Sequence, residues 1–371
     1  MQPLLWFTKE RPKVLLRSLL YVAKGPWDHE SRSGQLLWRI AAQGWHVDYL
    51  YETNEHEVKK AAQNLYINSR RSLLQRTKYG VVWTEKEYPL PRRTRSILIQ
   101  EYQAADEPIN PNAQLLFCSS AQLFASLNGK HPNVHLILDG CVGDLFKEPK
   151  QIPDEFLYVR RPIIGYVGSL DDEAAVELIR QAAAYYRYCS FVLIGECMGV
   201  GPSDLSPNVY VLGPRSTEDM PPYLHHLDMI ILKPPEESVL PKVYEFLALG
   251  KPLIVFTQQD LGGLAPLVFG SCTPEQLQTH IHQFLAELGL PLDETGLGLK
   301  WGSRSLSLSD LEQEPHDPRP QTPTLGHPPK KLFQQRKQLA LANSWQARAE
   351  QVLTAIQKTF AQQDQVRGWF L

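Results

Sequence analysis

The sequence predicts an α/β protein built from two doubly wound, parallel-sheet domains, and three observations lead there. The chain has 371 residues, and at ~100–200 residues per domain that length suggests two. Short apolar runs alternate with stretches of helical period, the pattern of successive βαβ units. In the second half these runs close on Gly168, Gly195 and Gly213 with short loops between, as strands do when they feed helices on either face of a parallel sheet.

The elements follow in order. Residues 14–23 read as a buried strand, 24–30 as a loop, and 31–43 as a helix with Ser31 or Ser33 as N-cap and Gly44 as its stop. A strand at 46–51 completes the opening βαβ step. Residues 55–78 are polar and basic and are expected to be helical; short strands are expected at 81–84, 96–100, 115–119 and 134–138, with a helix at 121–127. Residues 146–162, rich in Lys, Pro and charge, read as the interdomain linker. Strands are then expected at 163–167, 190–194, 209–212, 229–232 and 253–256, and helices at 171–186, 217–225 and 241–248. Residues 292–329 hold many Pro, Ser and Thr residues without apolar period, the composition of a long flexible insertion. Helical character returns at 339–360, broken at Asn343-Ser344. The expected division is therefore 1–150, 151–342 and a closing helix at 343–371.

Composition narrows the function classes. Apolar residues make up 43% and charged residues 21%, which suits a soluble globular chain with a large core. The formal net charge of -2 gives no global attraction to nucleic acid or an anionic membrane. Five cysteines at unrelated spacings, with no CxxC pair, read as small buried thiols of a reducing compartment rather than a zinc site or disulfide framework. No signal peptide is evident, and the 14–23 run is shorter than the ~20 residues that span a bilayer. The expected location is cytoplasmic, with any lipid-linked substrate met at the inner face of the membrane.

The blocks PIIGYVGSL (162–170), SFVLIGE (190–196), NVYVLGP (208–214), MPPYLHHLDMIILKP (220–234) and PKVYEFLALGKPLIV (241–255), with NSWQARAEQVL (343–353), together resemble the donor-binding half of GT-B glycosyltransferases. The likeness is to bacterial family-1/family-4-like enzymes that build cell-surface polysaccharides. LLFCSSAQL (115–123) and NVHLILDGCVGDLF (133–146) resemble, more loosely, the end of the acceptor-side half. The resemblance implies two Rossmann-like domains facing across a cleft. It also implies a nucleotide-diphospho sugar donor, UDP- or GDP-linked, and a saccharide or lipid-linked saccharide acceptor, with no metal and no further cofactor.

Candidate site residues follow. Gly168-Ser169 ends a strand where a diphosphate can approach backbone closely and meet a helix N-terminus, although a plain tight turn reads the same way. By resemblance Glu245 accepts from the donor ribose hydroxyls, a diol that suits an acceptor-only carboxylate; the plainer alternative is a charge complementing a helix dipole. Glu237, with seven residues between it and Glu245, would face the sugar, with Glu236 as a substitute. Lys242, three before Glu245 and on the same helix face, would offset charge on the departing diphosphate or else be a solvated lysine. Asp171 and Asp172 stand where relatives carry a basic residue, so either Lys242 does most of that work or donor binding is weakened; Arg215, slightly favoured for its place after the Gly213-Pro214 turn, and Arg180 are the candidate replacements.

On the acceptor side the loop Gly25-Pro26-Trp27-Asp28-His29-Glu30 follows the first strand. Trp27 would stack on a sugar, and Asp28, His29 or Glu30 would act as general base, unless the loop is simply an exposed polar turn. Arg32 would hold an acceptor phosphate, and Asp106 is a second base candidate. The basic residues Arg70, Arg71, Arg76, Lys78, Arg92, Arg93 and Arg95 form either a solvated face or a patch for anionic headgroups; no motif for nucleic-acid binding accompanies them. An active glycosyltransferase competes here with a catalytically weak scaffold of the same fold and with a nucleotide-sugar epimerase.

Overall fold

The computed structural model of the chain describes residues 17–51, 58–68, 79–86, 96–127, 129–141, 151–170, 173–197, 205–216, 218–235, 239–271, 273–287, 299–301, 304–306 and 330–368. The chain divides into two compact units, one of residues 1–140 and 345–371 and one of residues 141–344. The chain therefore leaves the first unit at Gly140, and its last helix belongs to that unit rather than to the second.

In the first unit, β1 (Ser18–Val22) leads into α1 (Arg32–Ala42) and β2 (His46–Leu50). Ser31 caps α1 by accepting from the Gly34 amide at 3.1 Å, which satisfies one of the orphan donors of the first turn. The chain continues through β3 (Val58–Ala62), β4 (Leu65–Asn68), β5 (Val81–Thr84), β6 (Ile97–Tyr102), β7 (Leu115–Cys118), α2 (Ala121–Ser126) and β8 (Val134–Leu136). The sheet order is β3-β4-β2-β1-β5-β6-β7-β8, parallel except for the antiparallel pair β3–β4.

That pair corrects the helix expected over 55–78, of which 58–68 is described. The basic composition suggested a helix, but the period is strand-like where it counts. Leu65 and Ile67 are buried and Tyr66 between them is half-buried, and Asn64 turns the chain at φ +64°, a conformation asparagine tolerates better than most residues.

The second unit runs β9 (Ile163–Val167), α3 (Glu173–Tyr185), β10 (Ser190–Ile194), β11 (Val209–Val211), α4 (Met220–His226), β12 (Met229–Leu232), α5 (Val239–Leu247), β13 (Leu253–Phe256), β14 (Val268–Ser271) and α6 (Pro274–Glu287). Its six strands lie in the order β11-β10-β9-β12-β13-β14, all parallel. Counted within the unit this is 3-2-1-4-5-6, the doubly wound order. β9, β10 and β12 are buried along their whole length, as strands covered on both faces must be. α3 covers one face through Ala175, Leu178, Ile179, Ala182 and Ala183, packing beside Leu277, Ile281 and Phe284 of α6. α5 covers the other through Val239, Val243, Phe246 and Leu247.

Within the insertion expected at 292–329, the described part is a short antiparallel hairpin of β15 (Leu299–Trp301) and β16 (Arg304–Leu306); the remainder lies outside the described residues. α7 (Lys330–Ala342) then returns to the second unit. Its Arg336 is fully buried and forms a two-point ion pair with Glu287, at 2.6 and 2.9 Å, while Nε donates to the Leu267 carbonyl at 3.1 Å. α8 (Trp345–Gly368) follows the break at Asn343-Ser344. It buries Trp345, Ala349, Val352 and Ile356, a helical stripe, in the same core as Leu36, Leu37 and Ile40 of α1.

Candidate active site

Loops leaving a doubly wound sheet diverge where the strand order reverses, and the crevice they open lies outside the carboxyl ends of the two strands at that point. In the second unit those strands are β9 and β12. A cavity of about 180 Å³ sits there. It is bounded by Gly168 after β9, by Lys233 after β12, by Lys242, Glu245 and Phe246 of α5, and by Leu224 of α4. That volume falls below the ~300–1,000 Å³ of whole-ligand pockets, so it suits one part of a ligand, a phosphate or a ribose, rather than a complete nucleotide sugar.

The floor is backbone. Gly168 has φ +143° and Gly195 φ +148°, a region L side chains rarely adopt. The Gly168 amide donates to the Ile194 carbonyl at 3.1 Å, and the Gly195 amide to the Gly213 carbonyl at 3.1 Å. The turns after β9, β10 and β11 are thus laid edge to edge. A Cβ on Gly195 would stand 1.9 Å from the Gly168 carbonyl oxygen, and one on Gly168 would stand 2.6 Å from that of Lys233. Ser169 contributes its carbonyl, which accepts from Tyr166 Oη at 3.0 Å; Ser169 is not among the residues lining the cavity.

The wall is α5. The helix starts at Val239, so Pro241 stands in its first turn rather than at its first position, where its missing N–H is still harmless. Lys242 and Glu245 both line the cavity, and Lys242 Nζ donates to Glu245 Oε2 at 2.9 Å. The lysine side chain is 42% exposed and the glutamate 15%, so the carboxylate is the anchored member of the pair. Glu236, Glu237, Asp171 and Asp172 lie outside the described residues.

Arg215 lies outside the lining of this cavity. Its guanidinium donates to Glu155 at 3.1 Å and to the Leu212 carbonyl at 2.7 Å, and lies over the Tyr223 ring at 4.9 Å. That network absorbs its charge, and Arg215 does not line the cavity. Arg180 pairs with Glu177 on the exposed face of α3 at 2.7 Å. The cation that sequence reasoning missed is Lys233, hidden at the end of an apolar strand; the proline pair after it, Pro234-Pro235, was the available signal, because it ends the ladder there.

In the first unit the corresponding reversal lies between β1 and β5, and the loop after β1 does sit there. Tyr49 Oη pins it by donating to the Gly25 and Pro26 carbonyls at 3.0 and 3.1 Å. Trp27 is half-buried, edge-on to Tyr49 at 5.1 Å, which leaves it as much a packing residue as a stacking platform. Asp28 and His29 are exposed; Asp28 accepts from the Glu30 amide at 2.9 Å, and the His29 ring meets Trp38 edge-on at 5.6 Å. Asp106 is exposed in a turn after β6. Glu85, not anticipated, stands at the reversal itself, accepting from Tyr21 Oη at 2.7 Å and from the Lys24 amide at 2.9 Å.

Arg32 is held between two carboxylates. It pairs with buried Glu101 at 3.2 Å and with Asp139 at 2.6 Å, while Trp83 Nε1 donates to the other Glu101 oxygen at 3.0 Å. Two carboxylates share this guanidinium, one buried and one half-exposed. Burial raises the Glu101 carboxyl above its ordinary range, and Arg32 pulls it back. Removing Arg32 therefore raises the folded-state pKa further. The added cost is felt where the unfolded chain would be ionised, above the ordinary glutamate pKa of ~4.3, and fades as pH falls toward it. Arg32→Met is expected to lose about 2–4 kcal/mol at pH 7.5 and clearly less at pH 5, measured by urea unfolding. Equal losses at both pH values would contradict this account of Glu101.

Comparisons with known proteins now bear on the site. Residues 161–287 match the family model described as glycosyl transferases group 1. No curated protein sequence matches the chain. Among solved structures, sucrose-phosphate synthase from Thermosynechococcus elongatus is 15% identical, with 93% of this chain and 99% of that chain covered and a TM-score of 0.50. An E. coli structure described as trehalose-6-phosphate bound with UDP-2-fluoro glucose is 10% identical, with 91% and 98% covered and a TM-score of 0.51. A trehalose-6-phosphate synthase, analysed with bisubstrate glycomimetics for glycosyl transfer with retention, is 9% identical, with 92% and 99% covered and a TM-score of 0.53. These likenesses establish the fold as GT-B, two parallel-sheet domains in one chain.

Proposed function

Starting from residues 161–287 as a group 1 glycosyl transferase domain, we propose that this chain transfers a sugar from a nucleotide-diphospho sugar to an acceptor hydroxyl. The observation that carries the reading is the convergence of Gly168, Lys242 and Glu245 on one cavity at the strand reversal. Glu245 offers its second oxygen to the ribose diol, while the backbone floor at Gly168 lets the diphosphate approach closely. In the reaction the bond from the anomeric carbon to the diphosphate oxygen breaks, the acceptor oxygen bonds to that carbon, and the acceptor proton passes to a base or to the departing phosphate. Lys242 offsets the charge left on the nucleoside diphosphate.

The donor base in this proposal is uracil or guanine. The E. coli neighbour is described with a UDP sugar analogue, which gives UDP the first place in the test. The acceptor is a saccharide, free or lipid-linked, in cell-surface polysaccharide synthesis; among the described residues no helix is long and apolar enough to cross a membrane, so a lipid-linked acceptor would be met at the inner membrane face. Asp28 and His29 are the proposed base candidates, with Trp27 on the acceptor side and Glu237 toward the donor sugar.

UDP or GDP is expected to raise the melting temperature of the protein, and Lys242→Ala and Glu245→Ala each to weaken that binding by roughly 10- to 100-fold. Nucleotide release from the donor should require an acceptor. A chain unresponsive to every nucleoside diphosphate would be a scaffold, and nucleotide release without acceptor would point away from transfer.

A further inference from the structure

Resting on the transferase reading above, we propose that Glu85 is the catalytic base of the acceptor side, in place of Asp28 or His29. The backbone sets it at the strand reversal of the first unit. The Glu85 amide donates to the Val22 carbonyl at 3.0 Å, carrying the β1–β5 ladder one residue beyond the strand. The carboxylate is then fixed at both oxygens. Tyr21 Oη donates to Oε1 at 2.7 Å, and the Lys24 amide to Oε2 at 2.9 Å. Tyr21 is 2% exposed. Burial, with the charges of Glu101 and Glu85, holds its phenol well above the ordinary range, so it stays a neutral donor. A carboxylate has about four acceptor positions, and these two bonds leave room for an acceptor hydroxyl. Glu85 is half-buried, held in one place and still reached by solvent.

The other described carboxylates at this edge of the sheet are already engaged. Glu101 takes Arg32 and Trp83 Nε1, and Asp139 takes Arg32. Asp28 accepts from the Glu30 amide two residues on, a turn that shapes its own loop. Glu107 accepts from the Gln103 amide. Both partners of Glu85 are neutral, and Lys24 sends its ammonium to Gln103 Oε1 at 2.6 Å instead. A base needs a fixed position and a carboxylate that no cation has neutralised. Among the described residues at the reversal, Glu85 meets both conditions. In the reaction the acceptor oxygen bonds to the anomeric carbon, and the bond from that carbon to the diphosphate oxygen breaks with its electron pair. The hydroxyl proton passes to Glu85, which returns it to water.

The test is steady-state transfer by the full chain from UDP-glucose and GDP-mannose. The acceptors are glucose, galactose, N-acetylglucosamine and a detergent-dispersed polyprenyl-diphosphate disaccharide. Glu85→Gln keeps an oxygen for the Lys24 amide and an N–H that Tyr21 Oη can accept, but it cannot take up a proton. It is expected to lower kcat roughly 100- to 10,000-fold. Calorimetric affinity for UDP or GDP should stay within a few-fold of the parent, and the melting temperature should hold. Sodium formate should restore Glu85→Ala by roughly tenfold or more, by supplying the missing carboxylate. A kcat in Glu85→Gln within about tenfold of the parent, below the loss a base should cause, while Glu245→Ala still loses nucleotide binding, overturns the proposal and leaves the donor-site reading standing. A fall in kcat matched by one in nucleotide affinity or melting temperature also overturns it, because the role is then structural. So does failure of formate with a folded Glu85→Ala variant, or its success with Asp28→Ala instead. Transfer to none of these acceptors by the parent chain removes both readings.

Discussion

Replacing Arg336 with methionine is expected to cost about 3–5 kcal/mol of stability. The residue has no exposed surface, and its partner Glu287 is 7% exposed. Methionine fills much of the space but leaves the Glu287 carboxyl group buried and without its two donors. The Leu267 carbonyl loses a donor as well. For a unit of this size that is a fall of on the order of 10 °C in melting temperature. The double variant Arg336→Met/Glu287→Met is expected to recover most of it, since replacing both members of a buried pair is often close to neutral. A single variant within 1 kcal/mol of the parent, by urea unfolding, would mean that the pair contributes nothing.

Gly195→Ala is expected to be worse still, leaving the second unit unable to fold as described. Strain alone is modest, ~1–2 kcal/mol for an L residue forced into positive φ. The contact decides the matter: 1.9 Å from the Gly168 carbonyl oxygen to the new Cβ cannot be relieved by rotating a side chain, because both partners are backbone. Gly213→Ala separates the two terms. Gly213 has φ +75°, yet a Cβ there meets nothing within 4 Å, so it carries the conformational cost without the collision. Loss of soluble protein in the first variant beside a small melting shift in the second is the expected pair of results. Equal, mild shifts in both would show that the glycine turns are not in contact.

Five of the six strands of the second sheet were legible because each is a short apolar run, which suits a strand of a parallel sheet; β14 was not, because Gly270 and Ser271 cut its apolar run to two residues. The helix positions of Lys242 and Glu245 were legible for a similar reason: a spacing of three fixes a shared face. What escaped was information carried by pairs distant in sequence. Arg32 looked like an unattached cation because Glu101 and Asp139 meet it only through the fold. The pairing of Arg215 with Glu155, sixty residues earlier, was hidden in the same way. Lys233 escaped for a local reason, since a single charge at the end of MIIL reads as the strand's polar boundary. The strand pair at 58–68 was lost to composition: the polar, basic character of 55–78 suggested a helix more loudly than the alternation of Leu65 and Ile67 suggested a strand.

Glu287 is the last residue of α6, and Arg336 stands six positions into α7, ~9 Å along that helix from its start. Their clasp therefore gathers the exit and the re-entry of residues 288–329 at one place, as a drawstring closes the neck of a bag. The two ends of that stretch are tied together by a bond the stretch itself does not supply. Added length between those ends is expected to cost the second unit little, because the closure entropy of a loop grows only slowly with the number of residues in it.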